Sequence, residues 1–365
     1  MGGPLRIGVV GAGKISGQYS DTLSRLPELA ITAVADLDLS RAQALAEKHP
    51  GARAVDLADL YAAPDVDAVL NLTTPAHHAT VAHAALAAGK HVYGEKPLAA
   101  TTADGRSITD AAAAAGLRLA CAPDTVLGTG VQTARAAVES GAIGVPHAAT
   151  AFMTAAGHER WHPDPEFYYQ PGGGPLLDMG PYYLTSLIHL LGPVRRVSAT
   201  SSRPRDERVI GSGPREGTTF PVSVDTHLTG TLEHHSGALT TMIMSFDVWA
   251  AHLPRIEMHG SEGSLAVPDP NYFGGEVELF TREAPEWTAV PPSAGYADGG
   301  RGIGLLDLAD ALTAGRDHRA AADVALHVLD VMETMLLSTQ TGASIEVSTT
   351  CGRPAPITTL LTLPG

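Results

Sequence analysis

Cysteine is nearly absent from this 365-residue chain. Only Cys121 and Cys351 occur, too few for a disulfide framework, so a reducing cytoplasmic setting is expected. No apolar run approaches the ~20 residues of a membrane helix, so no span of that kind is expected. The first strand-like run begins at Leu5, so no signal peptide is expected. Basic residues are also few. Lysines and arginines number 24 against 39 acids, a formal charge of −15. An acidic surface repels nucleic acid and anionic lipid, so neither is an expected partner. None of the 16 histidines pairs with a cysteine at zinc-site spacing, and no metal is expected. The doublet His234-His235 precedes Ser236-Gly237 in a hairpin-like turn and reads as solvated. Internal repeats and low-complexity tails are missing too.

The length favours two domains, and the rhythm of the chain changes near Pro123. Up to residue 122, short apolar runs alternate with helical patterns, which predicts an α/β domain with a doubly wound parallel sheet. Strands are expected at Leu5–Val10, Ile31–Ala35, Arg53–Val55, Ala68–Leu72, His91–Tyr93 and Leu117–Cys121. From Val145 the strands lengthen and alternate, as in a large, mostly antiparallel open sheet with one covered face. Residues 123–365 therefore read as an α+β domain for substrate binding and oligomerisation. Its two closing helices, near Ile303–Ala314 and Ala321–Thr339, are candidates to pack back on the first domain. The charged Arg203–Gly217 loop reads as mobile.

The first strand runs into Gly8-Val9-Val10-Gly11-Ala12-Gly13-Lys14-Ile15-Ser16, which opens the first helix. Gly11 permits a tight turn and Gly13 lets backbone approach a pyrophosphate, with Lys14 and Ile15 beginning the helix beside it. Asp36 ends the second strand, where a carboxylate accepts ribose hydroxyls and repels a 2′-phosphate. NAD is therefore expected rather than NADP. Thr74-Pro75 ends the fourth strand at the edge where ligands of such sheets sit. Thr74 reads both as a ribose or nicotinamide contact and as a helix cap ahead of Pro75. Glu95-Lys96-Pro97 follows the fifth strand and places a lysine near the cofactor.

Together these residues resemble the Gfo/Idh/MocA family of NAD(P)-dependent sugar and cyclitol oxidoreductases. The likeness lies in Gly11-Ala12-Gly13, Thr74-Pro75-Ala76-His77-His78, Gly89-Lys90-His91-Val92, Glu95-Lys96-Pro97 and Gly172-Gly173-Gly174-Pro175-Leu176-Leu177-Asp178-Met179-Gly180. It spans nearly the whole chain in order and spacing. The resemblance implies a Rossmann domain, a second domain with a large open sheet, and a substrate pocket between them. It implies cofactor contacts at His78, Glu95 and Lys96, a catalytic role for Lys96 at nicotinamide and substrate, and an active-site role for Asp178. It also implies a homodimer or homotetramer through the open sheet. One position departs from the family pattern. Four residues after the Asp, where the family commonly has its proton-accepting histidine, this chain has Tyr182, followed by Tyr183.

Gly180-Pro181 reads as a helix start, with the helix ending at Gly192-Pro193. Leu184, Leu187, Ile188 and Leu191 form its apolar stripe, and the ~100° step per residue places Tyr182 nearly opposite. Tyr182 is thus expected to face solvent or another domain. Beside a lysine ammonium its phenol, with a free pKa of ~10, would be lowered towards a useful base. Alternatively, Lys96 or a histidine from a loop is the base and Tyr182 shapes the pocket.

The loop Gly157–Tyr169 mixes aromatic faces with polar tips and suits either a sugar or a partner subunit. Trp161 and His162 are its expected substrate contacts, with Tyr183, His252 and Arg301 as further candidates. His252 lies at a strand end and Arg301 before a helix, where each has a purely structural reading as well. The expected activity is hydride transfer between a secondary alcohol of a sugar, glycoside or cyclitol and NAD. The alternative is an NAD-dependent, redox-neutral glycosidase that oxidises the sugar transiently at C3. In either case the partner is a small carbohydrate.

Overall fold

The structure is a computed structural model and describes residues 3–363. The chain forms two compact units. The first comprises the chain through Thr129, Ala294–Leu329 and the segment from Pro354 onward; the second comprises Gly130–Ser293 and Asp330–Arg353.

The first unit opens with β1 (Leu5–Val10), α1 (Ser16–Leu23), β2 (Leu29–Ala35), α2 (Leu39–Ala46), β3 (Arg53–Ala54), α3 (Leu57–Ala62), β4 (Ala68–Asn71), α4 (Pro75–Ala87), β5 (His91–Gly94), α5 (Thr102–Ala115) and β6 (Leu119–Cys121). The six strands are parallel in the order β3-β2-β1-β4-β5-β6. This is the doubly wound arrangement the alternation predicts. β1 and β4 are buried along almost their whole length, because helices cover both faces of such a sheet. Local chemistry sets the helix ends. Thr101 Oγ1 accepts the Asp104 N–H at the start of α5, and Gly116 ends it in the left-handed conformation, φ 64°. Asp38 caps α2, its side chain accepting from Ser40 N at 3.0 Å.

The chain continues with α6 (Thr129–Glu139), β7 (Pro146–Thr154), α7 (Pro175–Leu191), β8 (Val194–Ser202), β9 (Glu207–Val209), β10 (Thr219–Pro221), β11 (His227–His234), β12 (Leu239–Ser245), β13 (Ile256–Gly260), β14 (Gly263–Val267), β15 (Val277–Thr281) and β16 (Thr288–Val290). Then come β17 (Gly295–Tyr296), α8 (Ile303–Ala314), α9 (Ala322–Thr341), β18 (Ile345–Glu346) and β19 (Leu360–Leu361). Nine strands make one sheet in the order β16-β15-β14-β13-β7-β12-β11-β8-β18. All its neighbours are antiparallel except β12 and β7. α7 packs on β7, β11 and β12. β7 accordingly buries every second residue from Ala149 to Met153.

Three local expectations are corrected. First, α7 begins at Pro175, which takes the first helical position, and Pro181 lies inside the helix. Pro181 suits a first turn, but Leu176 and Leu177 extend the apolar run upstream and carry the helix through it. Second, every residue from Gly180 to Leu191 is buried, so no face of that stretch looks outward and the stripe argument fails. Tyr182 is 5% exposed and Tyr183 is fully buried. Third, His234 is 1% exposed. Its Nδ1 lies 2.8 Å from Gly192 O and its Nε2 3.0 Å from Thr240 Oγ1. A turn doublet looks solvated only until the helix C-terminus that needs its donor is seen.

Burial lowers the His234 pKa to about 4. Its folded value then lies below its unfolded value of about 6.5. The unfolded chain binds more protons between those pH values, so stability falls as pH drops through that window, by about 3 kcal/mol. His234→Asn, which keeps a donor for Gly192, is expected to show a shallower acid loss in unfolding titrations between pH 7 and about 4. Parallel curves for wild type and variant would contradict this.

Candidate active site

In the first unit the turn after β1 is shaped by what surrounds it. Gly11 has φ +99°, and a Cβ there would lie 2.8 Å from Leu72 O, a backbone atom that has no slack. At Gly13 a Cβ would meet nothing within 4 Å, so that side of the turn is open. Ser16 donates its hydroxyl to Gly13 O at 2.7 Å. The Asp36 carboxylate closes the turn: Oδ2 accepts from Ala12 N at 2.6 Å and Oδ1 from Asp38 N at 2.8 Å. Lys14 is exposed and Ile15 half-buried at the start of α1. A dinucleotide fits this cradle, because its diphosphate needs an open glycine at a helix N-terminus and its ribose an acid at the end of β2.

Thr74 and Pro75 are exposed at the start of α4, with Pro75 at the first helical position. Thr74 makes no side-chain cap, and its Oγ1 lies 2.9 Å from His77 Nδ1. His78 behaves differently from its neighbours. It is 2% exposed, with Nδ1 2.7 Å from Pro97 O and Nε2 3.0 Å from Thr73 O. Burial lowers its pKa. Both ring nitrogens face backbone carbonyls, to one of which a neutral ring donates, so His78 sits between the Lys96 loop and the turn after β4. Asn71, which no sequence motif marks, braces the same turn. Its Nδ2 donates to His78 O, and its Oδ1 accepts from Thr73 Oγ1 at 2.7 Å.

Glu95 ties α1 to the Lys96 backbone. It is 9% exposed; Oε1 accepts from Tyr19 Oη at 2.7 Å and Oε2 from Lys96 N at 2.9 Å. Lys96 itself is half-buried. Arg301 also belongs to the first unit. Its charge opposes the upward push that burial exerts on the Asp124 carboxyl. Asp124 Oδ2 in turn accepts from Gly302 N at 2.8 Å and Gly304 N at 3.1 Å.

In the second unit the aromatic loop and α7 come together. His158 Nε2 lies 3.1 Å from Asp178 Oδ2. The two side chains are 12% and 17% exposed. Trp161 is 54% exposed, its ring 5.2 Å from His158 and 5.5 Å from His162. Exposed Phe167 stacks on Tyr168 at 4.0 Å. Trp161 and His162 thus present faces a sugar can use. Tyr183 does not. It is fully buried, and burial pushes its phenol up while Arg255 hydrogen-bonds to it. His252 is exposed on an irregular stretch after Trp249.

The loop is held by groups the sequence did not reveal. Arg208, 3% exposed, donates to Glu159 Oε1 at 2.8 Å and to Asp247 Oδ1 at 2.5 Å. Its guanidinium lies over the Tyr169 ring at 5.1 Å. Tyr169 Oη donates to Glu159 and accepts from His158 N at 3.0 Å. The segment read as mobile therefore carries β9 and the most buried cation of the site. Among the described residues no group of three or more metal-ligating side chains occurs, and no helix is long and apolar enough to cross a membrane.

Comparison with known proteins agrees with this architecture. The family model for oxidoreductases with an NAD-binding Rossmann fold, GFO/IDH/MocA, matches residues 5–122. The model of the GFO/IDH/MocA C-terminal domain matches residues 131–266. The chain is 32% identical to D-glucoside 3-dehydrogenase of Escherichia coli (strain K12), over 76% of this chain and 81% of that protein. It is 29% identical to myo-inositol 2-dehydrogenase of Thermotoga maritima, over 72% and 74% of the two chains. The structure of a levoglucosan dehydrogenase in complex with NADH and L-sorbose aligns with a TM-score of 0.80 at 21% identity, over 95% of this chain and 100% of that one. At that identity the likeness speaks for the fold.

The two glycines of the turn are expected to fail in different ways. Gly11→Ala forces both a positive φ and a backbone clash, a cost of about 1–3 kcal/mol or more in thermal or denaturant unfolding. Gly13→Ala is expected to fold normally and lose NAD affinity in a binding titration. Equal stability of Gly11→Ala and wild type would contradict this picture of the turn.

Proposed function

This chain belongs to the GFO/IDH/MocA oxidoreductase family, and we propose that it oxidises a secondary alcohol of a sugar, glycoside or cyclitol with NAD. The observation that carries this reading is the open glycine turn at Gly11–Gly13, within a match to an NAD-binding Rossmann fold, in a chain whose curated relatives include dehydrogenases of a glucoside and an inositol. When bound, NAD supplies the hydride acceptor at its nicotinamide. The rest falls to the protein. Gly13 leaves room for the diphosphate, and Lys14, Ile15 and Thr74 line the cofactor's path. Asp36 accepts ribose hydroxyls and repels a 2′-phosphate. Lys96, held in place by Glu95 and His78, serves the reacting end. Trp161 and His162 bind the sugar, and Asp178 handles the hydroxyl proton.

The open face of the nine-stranded sheet, opposite α7, supports a homodimer or homotetramer, which light scattering would size. A chain with two cysteines and a soluble dinucleotide cofactor suits the cytoplasm.

The test of function is NADH formation, followed by absorbance, with NAD and a panel of free sugars, cyclitols and aryl glycosides. Sustained accumulation with one class is expected. Aglycone release without NADH would support the redox-neutral glycosidase in its place, and neither signal would sink both readings. For cofactor choice, Asp36→Ser is expected to weaken NAD binding by about 1.5–3 kcal/mol, the worth of a hydrogen bond to a charged group, and to bring NADP closer to NAD. If calorimetry finds NADP binding as weak as before, Asp36 does not set the choice.

A further inference from the structure

α7 carries Asp178 near its first turn but has Tyr182 one turn later, a phenol that is 5% exposed. An imidazole nevertheless reaches Asp178 from outside the helix, since His158 Nε2 lies 3.1 Å from Asp178 Oδ2. The His158 ring is enclosed by Phe246, Tyr168 and Trp161, at centroid distances of 4.4, 4.6 and 5.2 Å. Its Nδ1 is buried and meets no hydrogen-bond partner among the described residues.

These contacts favour one tautomer. A carboxylate near a helix N-terminus is favoured as the anion. The nitrogen facing it must then carry the hydrogen, which makes His158 an Nε2–H donor. Nδ1 is left as a lone pair; a second N–H there would be a buried donor with nowhere to go. An enclosed Nδ1 cannot meet a substrate either, so the ring acts through its neighbour. Asp178 is the more exposed of the pair.

We propose that His158 is the positioning residue for Asp178. It supplies, from the 158–160 turn, the imidazole that α7 lacks at Tyr182, so that Asp178 and not Tyr182 takes the hydroxyl proton of the sugar. The proposal rests on the oxidoreductase reading above. In the oxidation, the substrate carbon gives a hydride to the nicotinamide of NAD and its O–H bond breaks. The proton passes to the Asp178 carboxylate as the C=O double bond forms. The rigid mounting of His158 fits this role. Its backbone N–H is held by Tyr169 Oη, and Tyr169 is held by the Glu159–Arg208–Asp247 ion cluster. A merely decorative surface turn has no need of a buried cluster of three charges.

Two measurements test this. In histidine-¹⁵N-labelled protein without ligands, the signal missing from His158→Gln identifies His158. It is expected to show a protonated Nε2 and an unprotonated Nδ1 at neutral pH, and to move in Asp178→Asn. An imidazolium, the opposite tautomer, or indifference to Asp178→Asn would overturn the pairing whether or not any sugar is oxidised. In turnover, His158→Leu is expected to lower kcat about 100-fold, the scale of a misplaced catalytic group, with NAD affinity retained. His158→Gln, which still presents an N–H donor, is expected to recover most of that loss. Equal rates for Leu and Gln variants, both folded by circular dichroism, would overturn the positioning role. Failure of the wild type to oxidise any sugar would count against the activity and leave the spectrum to decide the pair.

Discussion

Arg208 lies almost entirely out of water between the carboxylates of Glu159 and Asp247, with Tyr169 stacked beneath it, and much of the second unit's site depends on that arrangement. Taking three charges out of water costs several kcal/mol per ion, and only close, well-aligned partners offset it. Removing one partner leaves an unpaired buried charge, worth about 3–5 kcal/mol. Three stretches distant in sequence are therefore locked together: the 158–169 loop, β9, and the end of β12 with Thr226, whose hydroxyl completes the shell of Asp247. His158 inherits that rigidity through Tyr169. The histidine–carboxylate pair is consequently part of the folded framework and not a chance contact of a surface loop.

The first unit follows the same division of labour with different groups. Polar residues that are buried serve as bolts. Glu95 joins Tyr19 to the Lys96 backbone, His78 joins Pro97 to Thr73, and Asn71 braces the turn after β4. The residues left at the surface of the turn, Gly13, Lys14 and Thr74, are those with room to meet a ligand. Burial separates the two classes within a few positions of one another: Thr74 is exposed and His78 is not. Cys121 belongs to the buried class as well, its thiol pushed up by burial and so inert.

The parallel sheet was legible in the sequence because strands buried on both faces read as apolar runs and each following helix announces itself by cap and period. The placing of Gly11 in the turn and of Asp36 beside it was legible for a related reason: both depend on near neighbours along a strand–turn–helix unit. The misreadings share one cause, namely partners that are far away in sequence. Tyr182 looks outward only when its helix is taken without the sheet and the Met332 segment that cover it. His234 looks solvated without Gly192. Arg208 sits in a charged, glycine-containing stretch that resembles a mobile loop, and nothing local marks its two distant carboxylates. His158 stands in plain view inside an aromatic loop, but its pairing with Asp178 spans twenty residues and a change of element.

Hydride transfer from a sugar carbon is the step on which every proposed role converges, and isotope transfer tests it most directly. The purified protein would be incubated with NAD and a sugar deuterated at its carbon-bound positions, and the product cofactor weighed by mass spectrometry. One deuterium gained in the reduced cofactor, with a ketone appearing on the sugar, is the predicted result. Reduced cofactor without deuterium, or a sugar cleaved while the cofactor returns unchanged, would contradict it.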